Sequence, residues 1–252
     1  MLLTIAIPTY KRCKYAVQNV KYLLPQVVAY QDSVRLLVTD NHSEDGTFEE
    51  LSSLANQYKE VFTLYEQEKN IGWMNNFFFG IEHSDSEFVF LLGDDDIVSP
   101  NFLDIVLPLL KSGGEKLGML HFNYIMATEK LSNGRLLRHD FENEEMIVRY
   151  QDTSDFVKKH HVGPSFISSV VFRKSSMLRG KQLNLQPDTM DYSWFLCLLT
   201  GIAGQEVMYY KMPLCVQRVG GFYPRYCMNY VIGMHNVFKY LDPYMPGVLA
   251  FW

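Results

Sequence analysis

The sequence predicts an α/β fold, with a mostly parallel central sheet and helices on both faces. Three observations carry that reading. Apolar runs of strand length alternate with segments of helical spacing through the first 125 residues. The most apolar of those runs, residues 88–92, leads through Gly93 into three aspartates, Asp94, Asp95 and Asp96. Two earlier strands also end in polar groups, at Thr9 and at Asp40. Strand–helix alternation of this kind folds into a parallel sheet, because each crossover lays its helix back on a face.

In chain order, residues 2–8 form a short apolar strand. Residues 15–30 carry Val17, Val20, Leu23, Leu24, Val27 and Val28 at helical spacing, with Pro25 as a kink or boundary. Residues 34–38 are a second strand. The segment 43–47 is a turn with helix-capping residues, and a helix follows to about residue 58. Residues 61–65 are a strand, 73–83 a helix, 87–92 a strand, 102–110 a helix and 117–124 a fifth strand. The second half is less regular. Residues 128–150 are polar, with Asn133-Gly134 as a hairpin signal. Residues 153–160 read as helix, 166–173 as strand and 192–200 as helix. Residues 207–210 and 213–218 read as two short strands, Gly220-Gly221 as a turn and 230–241 as a terminal helix.

Composition narrows the function. The 252 residues are 48% hydrophobic and 20% charged, an ordinary globular balance. A chain of this length buries roughly 70–75% of its unfolded surface. The net charge of −5 argues against nucleic acid as the main partner, since phosphate backbones need a basic surface. Cys13, Cys197, Cys215 and Cys227 show no C-x-x-C spacing, so they read as free thiols in a reducing cytosol. The first residues lack a basic leader and no stretch reaches about 18 apolar residues, so a cytoplasmic location is expected. The apolar end, residues 244–252, is expected to dock on the core or to touch a partner or the inner face of a membrane.

In a parallel sheet the ends of strands one, two and four share one edge, where α/β proteins place ligands. Clustered carboxylates repel one another there, and a hard divalent cation, Mg²⁺ or Mn²⁺, removes that cost while leaving positions for phosphate. The bland alternative for Asp94–Asp96 is a solvated acidic turn before the next helix. Arg12 or Lys11 would add positive charge at the same edge. Neither G-x-G-x-x-G nor G-x-x-x-x-G-K-[ST] occurs, so a metal would stand in for a glycine-rich cradle.

The pieces IAIPTYKR (5–12), VTDNHSEDGT (38–47), NIGWMNN (70–76), FVFLLGDDDIVSP (88–100) and PDTMDYSWFL (187–196) together resemble family 2 inverting glycosyltransferases of the GT-A fold. Within that family the chain is similar to bacterial enzymes that build O-antigen and capsular glycans. The resemblance implies a Rossmann-like donor half over residues 1–125. Residues 126–252 would then form a smaller acceptor-side region on the same core.

The resemblance also implies residue roles. Pro8, Thr9, Tyr10, Arg12, Asn70, Gly72, Asn76 and Asp94 would line the nucleotide pocket. Asp40 would accept the imide N–H of a uracil or thymine base, which favours a UDP- or dTDP-sugar. Asp95, with Asp96 beside it, would ligate Mg²⁺ or Mn²⁺. Asp191 would be the general base, with Asp188 in reserve, and Asp191 also reads as a plain helix cap. Arg218 would neutralise the leaving diphosphate, or sit as a surface charge beside a turn. Gly220-Gly221 with Phe222-Tyr223 would form a lid. Ser168, Ser169 and Trp194 would face the saccharide or lipid-linked saccharide acceptor. Two other readings stand beside this one: a sugar nucleotidyltransferase, and a glycosyltransferase-like subunit without activity.

Overall fold

The protein is described from a computed structural model, which covers residues 1–128, 130–132, 134–136, 145–184, 192–219 and 224–251. The strands are β1 (Leu3–Thr9), β2 (Val34–Asp40), β3 (Phe62–Glu66), β4 (Phe88–Leu91), β5 (Ile97–Val98), β6 (Leu117–Thr128), β7 (Arg135–Leu136), β8 (Ile147–Tyr150), β9 (Val170–Arg173) and β10 (Glu206–Val219). The helices are α1 (Cys13–Ala29), α2 (Thr47–Gln57), α3 (Trp73–Glu82), α4 (Phe102–Gly113), α5 (Thr153–His160), α6 (Lys174–Leu183), α7 (Ser193–Gly201) and α8 (Pro224–Leu241). Among these residues no helix is long and apolar enough to cross a membrane.

All ten strands join one sheet, ordered β3-β2-β1-β4-β9-β6-β10-β5, with β7 on β6 and β8 on β10. β1 pairs in parallel with β2 and β4, β2 with β3, and β10 with β6. β9 runs antiparallel between β4 and β6, which leaves those two strands pointing the same way. The sheet is therefore mostly parallel, as the alternation predicts.

The period of two along each strand sorts side chains to opposite faces. Leu3, Ile5, Ile7, Phe88, Phe90 and Leu92 pack on one face under α1 and α4. Ala6, Leu37, Val89 and Leu91 pack on the other with α3, α5, α7 and α8. α1 buries Ala16, Val20, Leu23, Leu24 and Val27 and runs straight through Pro25 to Ala29.

The structure corrects three sequence expectations and adds three elements to them. Residues 166–173 are not all strand. Residues Ile167–Ser169 make a 3-10 turn before β9, because Ser169 turns its N–H and its hydroxyl back onto the Phe166 carbonyl, at 3.0 and 2.7 Å. The two short strands near the end are one strand, β10, whose register shifts on either side of Pro213. Proline has no N–H to give the ladder, so the strand bulges there and continues. α6 is an unexpected helix. It is polar and buries only Ser176, Met177 and Gly180, so it carries almost no periodic apolar signal. β5 and β8 are too short to read in the sequence. A hairpin is present, with β7 returning antiparallel on β6, but its register centres the turn beside Leu131, whose N–H donates to the Thr128 carbonyl at 2.8 Å, rather than at Asn133-Gly134; Asn133 itself lies outside the described residues.

Candidate functional site

Parallel pairing brings the ends of β1, β2 and β4 together. Thr9, the last residue of β1, is in register with Asp40, the last of β2. The Asn41 N–H continues the ladder to the Thr9 carbonyl at 3.0 Å. On the other side of β1, the chain leaves β4 and turns through Gly93–Asp96. The Thr9 hydroxyl donates to Asp94 Oδ2 at 2.8 Å. One nitrogen of Arg12, Nη1, reaches Asp94 Oδ1 at 3.1 Å and Asp95 Oδ2 at 2.7 Å.

These groups open into a cavity of about 630 Å³. Pro8, Thr9, Tyr10, Arg12, Asn70, Gly72, Asn76, Asp94, Asp95 and Trp194 all line it. Its remaining wall comes from Asn41, Trp73, Phe77, Gly93 and the segment Ser165, Phe166 and Ile167. Trp73 stands at the cavity with 59% of its surface exposed. The volume falls in the ordinary range for small-molecule sites, roughly 300–1,000 Å³.

One end of the cavity is built of amides. Asn41 Nδ2 donates to Asn70 Oδ1 at 3.0 Å, and Asn41 Oδ1 accepts the Ile71 N–H at 2.9 Å. Asn70 Oδ1 also accepts the Gly72 N–H at 2.8 Å. Gly72 has φ of 84°, a conformation L side chains rarely adopt, and it starts α3. Asn76, one turn into α3, donates Nδ2 to the Thr39 carbonyl at 2.9 Å and accepts from Gln67 Nε2 at 3.2 Å. Replacing Asn76 with leucine strands both partners in a buried site. Denaturant unfolding should read a loss of about 1–3 kcal/mol.

Asp40 does not line the cavity. It is 0% exposed, the Ser43 hydroxyl donates to its Oδ1, and burial raises its pKa against the Ser43 hydrogen bonds. The side chain that does reach the cavity is its neighbour Asn41, because successive residues of an extended chain point to opposite sides.

The three aspartates have different surroundings. Asp94 is buried at the cavity wall, and burial raises its pKa although Thr9 and Arg12 pull it down. Asp95 is the most open, and its carboxylate meets only Arg12 among the described hydrogen bonds. Asp96 points away from the cavity. Its Oδ2 accepts the Ser168 hydroxyl at 2.6 Å and its Oδ1 the Arg218 N–H at 3.1 Å. Burial pushes its pKa up to about 7, with the charge of Asp95 adding to the rise.

Two expected contacts lie elsewhere. Ser168 and Ser169 are fully buried and do not line the cavity; Ser168 instead accepts the Gly93 N–H at 2.9 Å while holding Asp96. The Arg218 side chain leans on the outer side of the turn, where Nε donates to the Asp95 carbonyl at 2.8 Å and the guanidinium lies 5.0 Å from the Tyr15 ring centre. It lines a smaller cavity of about 300 Å³ with Tyr15, Asn19 and the aspartates. Asp188, Asp191 and residues 220–223 lie outside the described residues.

The site also contains groups that the sequence reading passed over. Asn41, Phe166 and Ile167 line the cavity, and Asn19 holds the aspartate turn from α1. The signal for Asn19 was available: a polar residue among Ala16, Val20 and Leu23 on the buried face of an amphipathic helix.

The turn fits a divalent cation. Asp94 Oδ1 and Asp95 Oδ2 converge on one cationic nitrogen, so two hard oxygen donors already face a single point of positive charge. A cation there would also offset the burial that raises the Asp94 pKa. No group of three or more histidine, cysteine, aspartate or glutamate side chains with metal-binding geometry occurs among the described residues. The protein would therefore supply two carboxylates, and the ligand and water the remaining donors, as Mg²⁺ sites commonly arrange.

Residues 4–176 match the family described as Glycosyl transferase family 2. Abequosyltransferase RfbV of Salmonella typhimurium is 27% identical over 112 residues, 44% of this chain and 33% of that protein. The match thus spans a third of the length of that curated relative. Among solved structures, S. aureus TarS 1-349 superposes with a TM-score of 0.72 at 13% identity, covering 100% of this chain and 70% of that one. The same protein in complex with UDP-GlcNAc gives 0.70 at 12%, covering 100% and 69%. Mannosyltransferase PcManGT from Pyrobaculum calidifontis, in complex with GDP-Man and Mn²⁺, gives 0.65 at 15%, covering 99% and 69%. At these identities the structural likeness is one of fold.

Proposed function

The chain belongs to glycosyl transferase family 2, and on that premise we propose that it moves a sugar from a nucleoside diphosphate donor to a saccharide or lipid-linked saccharide acceptor, with inversion at the anomeric carbon. The observation that carries the reading is the cluster Thr9, Arg12, Asp94 and Asp95 opening into a 630 Å³ cavity at the shared edge of three parallel strands. The abequosyltransferase relative supports a role in surface polysaccharide synthesis.

In this reading the base and ribose lie among Tyr10, Asn41, Asn70 and Asn76, and the diphosphate lies over Asp94 and Asp95. Asp94 and Asp95 would hold Mg²⁺ or Mn²⁺, which would supply positive charge for the diphosphate. Arg12 is long and half exposed, so it can leave its bridging position as the diphosphate enters. Thr9 fixes the Asp94 carboxylate by its hydroxyl. Asp191 takes the proton from the acceptor hydroxyl as that oxygen attacks the anomeric carbon, while the bond from that carbon to the diphosphate oxygen breaks and the nucleoside diphosphate leaves. Trp73 and Trp194 offer faces for sugar rings.

The base preference follows from Asp40. A carboxylate that received the imide N–H would restrict the donor to UDP- or dTDP-sugars. With that carboxylate behind the wall, the base edge meets amides, which donate and accept alike. UDP- and dTDP-sugars are therefore screened together with CDP-sugars. In a panel of nucleotide sugars with Mn²⁺, one donor should be hydrolysed slowly to its nucleoside diphosphate, and Asp191→Asn should lower transfer from it by about 10²–10⁴-fold. Release of pyrophosphate from a nucleoside triphosphate and sugar phosphate would instead identify a nucleotidyltransferase. Binding of nucleotide with no turnover would identify an inactive subunit.

A further inference from the structure

We propose that Asn19 of α1 is a positioning residue for the aspartate turn, setting where Asp94 and Asp95 stand. The proposal rests on the metal and diphosphate reading of that turn, and its geometry stands apart from it. Asn19 Nδ2 lies 3.3 Å from the Gly93 carbonyl, 3.4 Å from that of Asp94 and 2.9 Å from that of Asp96. Its side chain is 3% exposed, so water cannot replace these contacts. A donor is required, because three carbonyl oxygens face this position, and the two hydrogens of Nδ2 are shared among them. The Asn19 Oδ1 atom is buried with no hydrogen-bond partner among the described residues, so the side chain is oriented toward the turn at the cost of its own acceptor.

The same helix face continues the pattern downstream. The Tyr22 hydroxyl donates to the Val98 carbonyl at 3.1 Å, and Gln26 Nε2 reaches the Ser99 carbonyl at 3.4 Å. Positions 19, 22 and 26 lie along one stripe of a helix. α1 thus runs a line of donors beside the chain from Gly93 to Ser99. Of these three donors, Asn19 is the one that meets the part carrying Asp94 and Asp95. Supporting hydrogen bonds of this kind behind metal ligands commonly govern affinity by about 10–100-fold.

The test uses the full chain with Asn19→Ser, which keeps one hydroxyl donor, Asn19→Leu, which keeps none, and Tyr22→Phe as a control on the same face. Hydrogen exchange of peptides spanning residues 93–97 reads the position of the turn without any ligand. Mn²⁺ binding, followed by the loss of the free-ion paramagnetic resonance signal with UDP present, reads the consequence. The expected result is faster exchange at 93–97 and weaker Mn²⁺ binding in the order wild type, Ser, Leu, with about tenfold or more lost in Asn19→Leu. Tyr22→Phe should leave both near wild type. Unchanged exchange at 93–97 in Asn19→Leu, or in Asn19→Ser where the leucine variant does not fold, overturns the proposal. Undiminished Mn²⁺ binding in a folded variant overturns it as well. If the wild type binds no Mn²⁺, the metal reading of the site falls, and the exchange measurement alone decides the role of Asn19.

Discussion

Asp95→Ala is expected to lower sugar transfer by about 10²–10³-fold, the usual cost of removing one preorganised electrostatic group at a reacting centre, while the folding midpoint stays close to wild type. The two halves of this result have separate origins. The Asp95 carboxylate is the most open of the three and contacts only Arg12 among the described hydrogen bonds, so little of the fold depends on it. The backbone of the turn is held by other groups: the Asp95 carbonyl by Arg218, and the Gly93, Asp94 and Asp96 carbonyls by Asn19. Asp96→Ala should behave in the opposite way. Its carboxylate ties Ser168 and the Arg218 N–H together across three elements, so its loss strikes stability first. Thermal unfolding and initial-rate assays on the two variants separate these roles.

Gly180→Ala is expected to be among the most destabilising single substitutions in the chain. α6 and α7 cross so closely that a Cβ at Gly180 would lie 1.7 Å from the Cys197 carbonyl oxygen, and one at Gly201 would lie 2.0 Å from that of Ser176. Both obstacles are helix backbone, which cannot rotate aside as a side chain does. Relief requires separating the helices, which opens the packing of Met177 against Phe195, Cys197 and Leu198 in the same core. Overpacking costs about 1–3 kcal/mol and sometimes more. A value near 3 kcal/mol would lower the thermal midpoint by about 6–12 °C in a domain of this size. Gly204, with open space around it and φ of 75°, provides the contrast. Alanine there meets only backbone strain, so calorimetric melting should rank it well above Gly180→Ala.

Much of the first half of the chain was legible in the sequence because each of its elements is periodic and bounded. β1, β2 and β4 are short apolar runs, and α1 and α4 have broad buried stripes. Parallel pairing then fixes a shared edge, which is why the sequence itself brings Thr9 and the aspartate turn together. α6 was not legible, because its contact with α7 is a close glycine approach rather than an apolar stripe. β10 was split by Pro213, although a bulge lets the strand pass through it.

The side chains of the site were less legible than the backbone. Placing Asp40 or Asn41 at the cavity is a choice of face, and one residue reverses it. Ser168 read as an acceptor contact because it is polar and near a strand, yet it braces the aspartate turn from the far side. Arg218 read as a charge for phosphate, and its guanidinium lies against a turn carbonyl and the Tyr15 ring. The Ser168 and Arg218 assignments depend on hydrogen bonds between residues 72 to 123 positions apart, which no local pattern encodes.

The central claim is that the cavity at the ends of β1, β2 and β4 binds a nucleoside diphosphate through a divalent cation on Asp94 and Asp95. Titration calorimetry of UDP, dTDP and CDP, each with and without Mn²⁺, tests it most directly. The account predicts saturable binding of at least one diphosphate that requires Mn²⁺ and is lost in Asp95→Ala. No binding of any of the three, or metal-dependent binding that survives intact in Asp95→Ala, would contradict it.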